Sequence, residues 1–152
     1  MSTVQPVRLA LVTLWTASLG IAAGGVRLGR RVTLSPGERL SVGDVKGASE
    51  PITLGPTRQM EERYDVTCVL SVTQQGTVDQ QGAVEDRLWT LYNAAELAVR
   101  SVSGENLGVT GVVIAYVAGN FAFTEAQASD TNGALSASLE FDVRVQARFR
   151  LP

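Results

Sequence analysis

The sequence predicts an α+β fold: a mainly antiparallel sheet with a long C-terminal hairpin, covered on one face by two helices. Two segments, residues 6–19 and 79–102, place apolar side chains at helical spacing. Residues 63–73 alternate apolar and polar side chains with one exception, and residues 135–150 alternate without any, as strands with one buried face do. A chain of 152 residues fits a single domain spanning residues 1–152.

The first helix is predicted in an uncharged stretch, residues 9–26 (LALVTLWTASLGIAAGGV). Its length is near the lower limit for a membrane span, so a signal or membrane anchor is one alternative and a strand is another. Pro6 suits the first turn of a helix, and Gly20 suits its end. We therefore expect an amphipathic helix over residues 6–19.

Short strands are expected next, at residues 31–34 and 39–45, on either side of the turn sequence Ser35-Pro36-Gly37. Residues 46–60 (KGASEPITLGPTRQM) hold two prolines and two glycines. That composition predicts a long exposed loop, which is a common place for partner contacts.

The second helix, residues 79–102, buries a stripe that includes Val84, Leu88, Leu91 and Ala95, and Ser103-Gly104 is expected to end it. Trp89 and Leu97 project from its polar side instead. Isolated apolar residues are common on surfaces, but a tryptophan there also suits a protein–protein contact.

The C-terminal hairpin is predicted from two strong strand patterns. Residues 109–118 are apolar on both faces, which is typical of a central strand. Residues 121–133 then form an extended tip with Asn132-Gly133 as turn residues, and residues 135–150 form the closing strand.

Composition excludes most enzyme classes. The chain has no histidine, which removes His-dependent nucleophilic triads and His-containing zinc sites. The single cysteine, Cys68, lies on the apolar face of a predicted strand and is expected to be a small buried hydrophobe. No nucleotide-binding or metal-binding motif occurs. No catalytic residue, cofactor or metal site is predicted.

Charged residues offer no better candidate for a site. The net charge of −2 and the pI near 5.1 argue against a dedicated nucleic-acid binder. The adjacent acids Glu61-Glu62 and Glu85-Asp86 are expected on solvated faces, and residues 130–133 are expected to form a turn rather than a calcium loop. Arg144, Arg148 and Arg150 share a strand face with Glu140 and Asp142, so cross-strand or intersubunit ion pairs are favoured over phosphate binding.

The order of elements, together with three stretches, resembles the tail terminator (tail completion) proteins of long-tailed phages. These stretches are VRLALVTLWTAS, the strand–helix unit RYDVTCVLSVTQQ…VEDRLWTLYNAAELAV, and the closing ALSASLEFDVRVQARFRL. The resemblance covers most of the chain, apart from residues 46–60, and involves no invariant short motif.

The resemblance implies a non-enzymatic virion protein at the neck, assembled in the host cytoplasm. It implies a homohexameric ring that caps the tail tube and joins it to the head–tail connector or stopper protein. The partners would be further copies of the chain, the major tail tube protein and the connector, with DNA only passing through and no membrane. The alternatives are another ring-forming neck or tube protein, a monomeric ligand-binding α+β domain and, third, a membrane-anchored secreted protein.

Candidate contact residues follow from these patterns. The 46–60 loop and the 121–133 tip are expected to contact the tube or connector. The individual interface candidates are Trp89, Leu97, Glu125, Gln127, Asp130, Asn132, Arg144 and Arg148.

Overall fold

The computed structural model describes residues 2–29, 37–52, 59–102, 106–127 and 133–150. Helix α1 (Val4–Ser18) precedes strands β1 (Val26–Leu28), β2 (Gly37–Pro51) and β3 (Gln59–Gln75). A 3-10 turn (Val78–Gln80) leads into helix α2 (Gln81–Ser101), and strands β4 (Val112–Gln127) and β5 (Ala134–Arg150) complete the chain.

The five strands form one sheet in the order β1-β2-β3-β5-β4. The β1–β2 pair is parallel, and the other three pairs are antiparallel. Both helices pack on the sheet, and the alternate β5 residues from Leu135 to Ala147 are buried on that side. The predicted fold class is confirmed.

The core is centred where the two helices meet the sheet. Trp15 of α1 is fully buried, and its indole N–H donates to the carbonyl oxygen of Ala95 on α2 at 3.1 Å. The same ring meets Phe141 of β5 edge-on, with ring centroids 6.1 Å apart. Trp15 therefore joins both helices to the central strands.

The prediction of helix α1 is confirmed with small shifts of its ends. Pro6 lies in the first turn, and Gly20 follows the C-terminal cap with a φ of +64°, a backbone conformation that favours glycine. Within the described part of the chain, no helix is long and apolar enough to cross a membrane.

Residues 46–51 and 59–60 are strand rather than loop, so the prediction of a 46–60 loop is wrong for them, and residues 53–58 lie outside the described residues. β2 runs to Pro51 and β3 starts at Gln59, and Pro51 pairs with Met60 in the hairpin. Residues 46–52 are exposed on both faces, so no alternation marks them as strand. We call residues 46–52 and 59–60 the β2–β3 arm.

The β4 prediction is also wrong in two respects. β4 is an edge strand rather than a central one, and it stays paired with β5 as far as Gln127. Most of the expected 121–133 tip is therefore strand. The apolar residues on the second face are not buried there: Val113 is 47% and Tyr116 is 42% exposed.

Some expectations fall on parts of the chain outside the described residues. These are the strand at residues 31–34, the Ser35-Pro36 part of its turn, the Ser103-Gly104 helix end, and the candidates Asp130 and Asn132.

Candidate assembly surfaces

Within the described ranges, both helices lie on one face of the sheet, and we call the other face the open face. Directly paired residues lie on the same face of a sheet, so the β3–β5 register places Asp65 beside Arg144 and Thr67 beside Asp142 there. The Arg144 guanidinium donates twice to the Asp65 carboxylate, at 2.9 and 3.1 Å, and Thr67 Oγ1 donates to Asp142 at 2.8 Å. The open face is thus tied by polar contacts across its central strands.

Glu61 is the centre of a second group on the open face. Its carboxylate accepts from Arg148 and Gln146 at 2.9 Å and from Arg63 at 2.5 Å. The hydrogen bonds from Arg148 and Arg63 lower the pKa of Glu61. Glu61 is 8% exposed, so the prediction of a solvated carboxylate is wrong. The expected cross-strand ion pairs of Arg144 and Arg148 are found.

Glu62 is buried on the helix side of β3, where it fixes the start of α1. One carboxylate oxygen accepts from both the backbone N–H and the hydroxyl of Thr3, each at 2.9 Å. Thr3 Oγ1 also lies 2.8 Å from the Tyr64 hydroxyl. A carboxylate at a helix N-terminus is favoured by the helix dipole. The expectation of a solvated Glu62 is therefore wrong.

Burial shapes the chemistry of Tyr64 in the same group. Loss of water around the phenol raises the pKa of Tyr64 to about 12. The sequence shows the alternation that buries Tyr64, but it does not show that the chain before α1 returns to this strand. The Thr3–Glu62–Tyr64 group was therefore missed by sequence reasoning.

Trp89 lies in an aromatic cluster between α2 and β4 rather than alone on a polar face. Its ring is stacked with Phe123, with centroids 5.8 Å apart, and meets Phe121 and Tyr92 edge-on at 5.3 and 5.8 Å. Its own subunit therefore uses Trp89 for packing, which contradicts the premise of the interface prediction. Phe121 remains 51% exposed at the rim of this cluster.

Leu97 lies on the exposed side of α2, as the sequence predicts. It is 64% exposed on α2, away from both the sheet and the aromatic cluster. Its part in association stays a prediction.

Glu125 lies near the end of β4 and faces Glu85 of α2. A hydrogen bond between the two carboxyl groups raises the pKa of Glu85. Gln127 is the last residue of β4. The structure thus separates Glu125 and Gln127 from Arg144 and Arg148, which lie nearer the other end of the hairpin.

The β2–β3 arm forms a third surface. A groove of about 340 Å³ lies along it and includes Pro51, Ile52 and Glu61. A second groove of about 360 Å³ lies at its base beside Val4 and Tyr64. Both are open surface grooves, so they suit contact with a protein surface better than enclosure of a ligand.

The described residues offer no group of three or more Cys, Asp or Glu side chains that suits a metal ion. Cys68 is fully buried, and burial raises the pKa of its thiol well above the ordinary value. The thiol is therefore held in its unreactive, protonated form.

Comparison with known proteins gives a similarity of fold but none of sequence. No protein-family model and no curated protein matches the sequence. The fold is similar to that of a chain in a solved structure, the virion of the native gene transfer agent (GTA) particle, with a TM-score of 0.53. The alignment covers 93% of this chain and 94% of that chain at 14% identity. At this identity the similarity establishes a shared fold.

Proposed function

We propose that the chain is a structural protein of a phage-like virion, of the tail terminator type. It forms a homohexameric ring that caps the tail tube and connects it to the head–tail connector or stopper protein. The observation that carries the proposal is the nearly full-length fold similarity to a chain of a virion particle. The resemblance of the sequence to tail terminators adds the position at the neck.

The surfaces of the subunit support assembly rather than catalysis. The open face is uncovered and carries ordered ion pairs, the β2–β3 arm is exposed on both faces, and an apolar strand forms one edge of the sheet. A subunit that contacts neighbours and other virion proteins needs several such surfaces at once.

Mass in solution tests the ring. Six chains of 16.1 kDa give about 97 kDa, and light scattering after size-exclusion chromatography separates this from a monomer of 16.1 kDa. A monomeric mass at tens of micromolar would contradict the proposal and favour a monomeric binding domain. A closed ring with another number of subunits would contradict the hexamer alone.

The proposed position at the neck is tested by joining of heads to tails. We expect the arm to contact the tube or connector, so a variant in which Asn-Gly replaces residues 51–60 should still form the oligomer but fail to join heads to tails. Glu50 and Glu61, which pair across the hairpin, are kept as its ends, so the contacts of Glu61 with β5 are retained. Replacing residues 128–132 by the same turn tests the β4–β5 end separately. Full joining activity of both variants would place the contacts elsewhere.

The position of the ring on the tail separates a terminator from another ring-forming protein. A wild-type ring that is incorporated along the tube, rather than once at its end, would indicate a tube protein. Labelled protein and electron microscopy of isolated tails make this distinction.

A further inference from the structure

The sheet has two open edges among the described residues. β4 pairs only with β5, so its outer backbone groups have no strand partner. In the same part of the chain β1 covers β2 only at Leu40–Val42, so from Val45 to Pro51 β2 pairs with β3 alone. Unpaired edge strands are templates for pairing with another chain.

The β4 edge lacks the charges that normally prevent such pairing. No charged residue occurs from Val112 to Thr124, and Val113, Tyr116 and Phe121 are each between 42% and 51% exposed. Register shifts at 112–114 and at 117–121 leave a regular stretch between them, residues 114–117. This regular, uncharged stretch is the part of β4 suited to a strand partner.

The matching part of β2 lies at the same level of the sheet. Through β3 and β5, Val45 is level with Val117, Lys46 with Tyr116 and Ala48 with Ile114. The register shift in β2 ends at Val45, so its regular stretch begins at the level where that of β4 ends. If two copies lie side by side with their sheets at the same level, the regular stretch of β4 in one copy therefore lies opposite the regular stretch of β2 in the next.

The strand directions are also compatible. β2 is antiparallel to β3, β3 to β5, and β5 to β4, so β2 and β4 run in opposite directions. In a ring each subunit repeats the orientation of its neighbour, so β4 of one copy would meet β2 of the next as an antiparallel pair. Antiparallel pairing is the more stable arrangement.

We propose that β4 residues 114–117 of one subunit pair with β2 residues 45–48 of the next, which joins neighbouring sheets across the subunit interface. This inference rests on the proposed ring and identifies the contact that builds it. The contact is head-to-tail, so it continues from copy to copy and closes when the rotation per subunit allows it.

Cysteine cross-linking tests the pairing. Tyr116→Cys is combined in turn with Lys46→Cys, Ala48→Cys and Glu50→Cys, all of which lie on the open face. Within one subunit, three strand spacings of about 4.8 Å separate Tyr116 from Lys46, whereas a disulfide needs Cα atoms about 4.4–6.8 Å apart. A bond between these positions must therefore join two subunits, and the buried Cys68 does not compete.

We expect the Lys46→Cys pair to give the strongest ladder of covalent oligomers, up to the full ring, on a non-reducing gel, because the proposed register places Lys46 directly opposite Tyr116 and leaves Glu50 outside the pairing. Each cysteine alone should give none. The matched control is Lys46→Cys with Thr124→Cys, because Thr124 is exposed on the same face of β4 but lies about 20 Å further along it.

The outcomes separate this inference from the proposed function. An oligomeric mass with no ladder from the Lys46 pair, or with a stronger ladder from the Glu50 pair, would overturn the edge pairing and leave the ring intact. An equally strong ladder from the Thr124 control would also overturn it. A monomeric mass would overturn the ring and the pairing together.

Discussion

At the scale of single residues, the most consequential group is the buried carboxylate of Glu62. Its oxygen is the acceptor for the Thr3 N–H, and both residues are buried, with Thr3 5% and Glu62 7% exposed. Glu62→Ala leaves that N–H buried without an acceptor, which costs about 1–3 kcal/mol. We expect urea unfolding to show this loss of stability.

The control is Glu50→Ala, because Glu50 is exposed on the β2–β3 arm and pairs with Glu61 rather than with Glu62. Exposed substitutions usually change stability by no more than about 0.5 kcal/mol. Equal midpoints for both variants would show that the Glu62 group does not hold α1 on β3.

The Tyr64 phenol predicts a loss of stability in alkali. Its pKa is raised by burial from 10.0 to about 12, so folding favours the neutral phenol. This contribution is fully present below pH 10 and is lost as the pH rises towards 12, by at most about 1.4 kcal/mol per pH unit. The difference in unfolding free energy between wild type and Tyr64→Phe should shrink across this window. A constant difference would contradict the assignment.

Alanine substitutions of Trp89 and Leu97, both on α2, should have different effects on stability: one large and one small. Trp89 packs against Phe121 and Phe123, so Trp89→Ala should lower stability by about 2 kcal/mol. Leu97 is largely exposed, so Leu97→Ala should change stability by no more than about 0.5 kcal/mol. Urea unfolding and near-ultraviolet circular dichroism measure both. A destabilised Leu97→Ala beside an unchanged Trp89→Ala would reverse this view of α2.

At the scale of secondary structure, the sequence predicts best where one face of an element is buried. Residues 63–73 and 135–150 alternate because helices cover one side of β3 and β5. The arm has no buried side, so its strands show no alternation, and its proline and glycine content resembles a loop. Trp89 was misplaced for a related reason: its packing partners come from β4, more than thirty residues further along the chain.

The arm depends on one close approach of backbones. A Cβ added to Gly47 would lie 2.3 Å from Tyr64 Cβ and 2.4 Å from the Arg63 carbonyl oxygen. Gly47→Ala must therefore push β2 away from β3 in the arm. We expect faster hydrogen exchange of amides in residues 45–51 and a loss of stability of about 1–3 kcal/mol.

Gly82→Ala is the matched control, because nothing lies within 4 Å of an added Cβ in that turn of α2. Alanine favours helix over glycine, so this variant should be at least as stable as wild type. Unchanged exchange in the arm of Gly47→Ala would show that β2 tolerates the side chain there.

At the scale of the whole molecule, the fold class follows from the sequence but the order of strands does not. Strand order depends on which edges meet, and apolar residues on both faces of β4 are compatible with either a central strand or an edge that a neighbour covers. The candidate surfaces share this limit. The sequence predicts that Arg144 and Arg148 form ion pairs. That residues 45–48 and 114–117 lie at the same level of the sheet follows only from the strand register.

The charge of the open face makes a prediction about DNA. Among the described residues this face carries seven basic side chains and five acidic ones, and several are paired with each other. The basic ones are Arg27, Arg39, Lys46, Arg63, Arg144, Arg148 and Arg150, and the acidic ones are Glu50, Glu61, Asp65, Glu140 and Asp142. A face with so little net positive charge releases few counterions from duplex DNA. Counterion release is the main source of non-specific affinity for DNA.

We therefore expect the assembled protein to bind duplex DNA more weakly than about 10⁻⁴ M at physiological salt, as measured by fluorescence anisotropy. The matched variant Asp65→Asn, Glu140→Gln, Asp142→Asn removes three negative charges and frees Arg144 from its carboxylate partner. It should bind DNA measurably at low salt and lose that binding as salt rises. Micromolar, salt-sensitive binding by the wild type would show instead that the protein holds DNA, and a ring that only lets DNA pass would then be the wrong description.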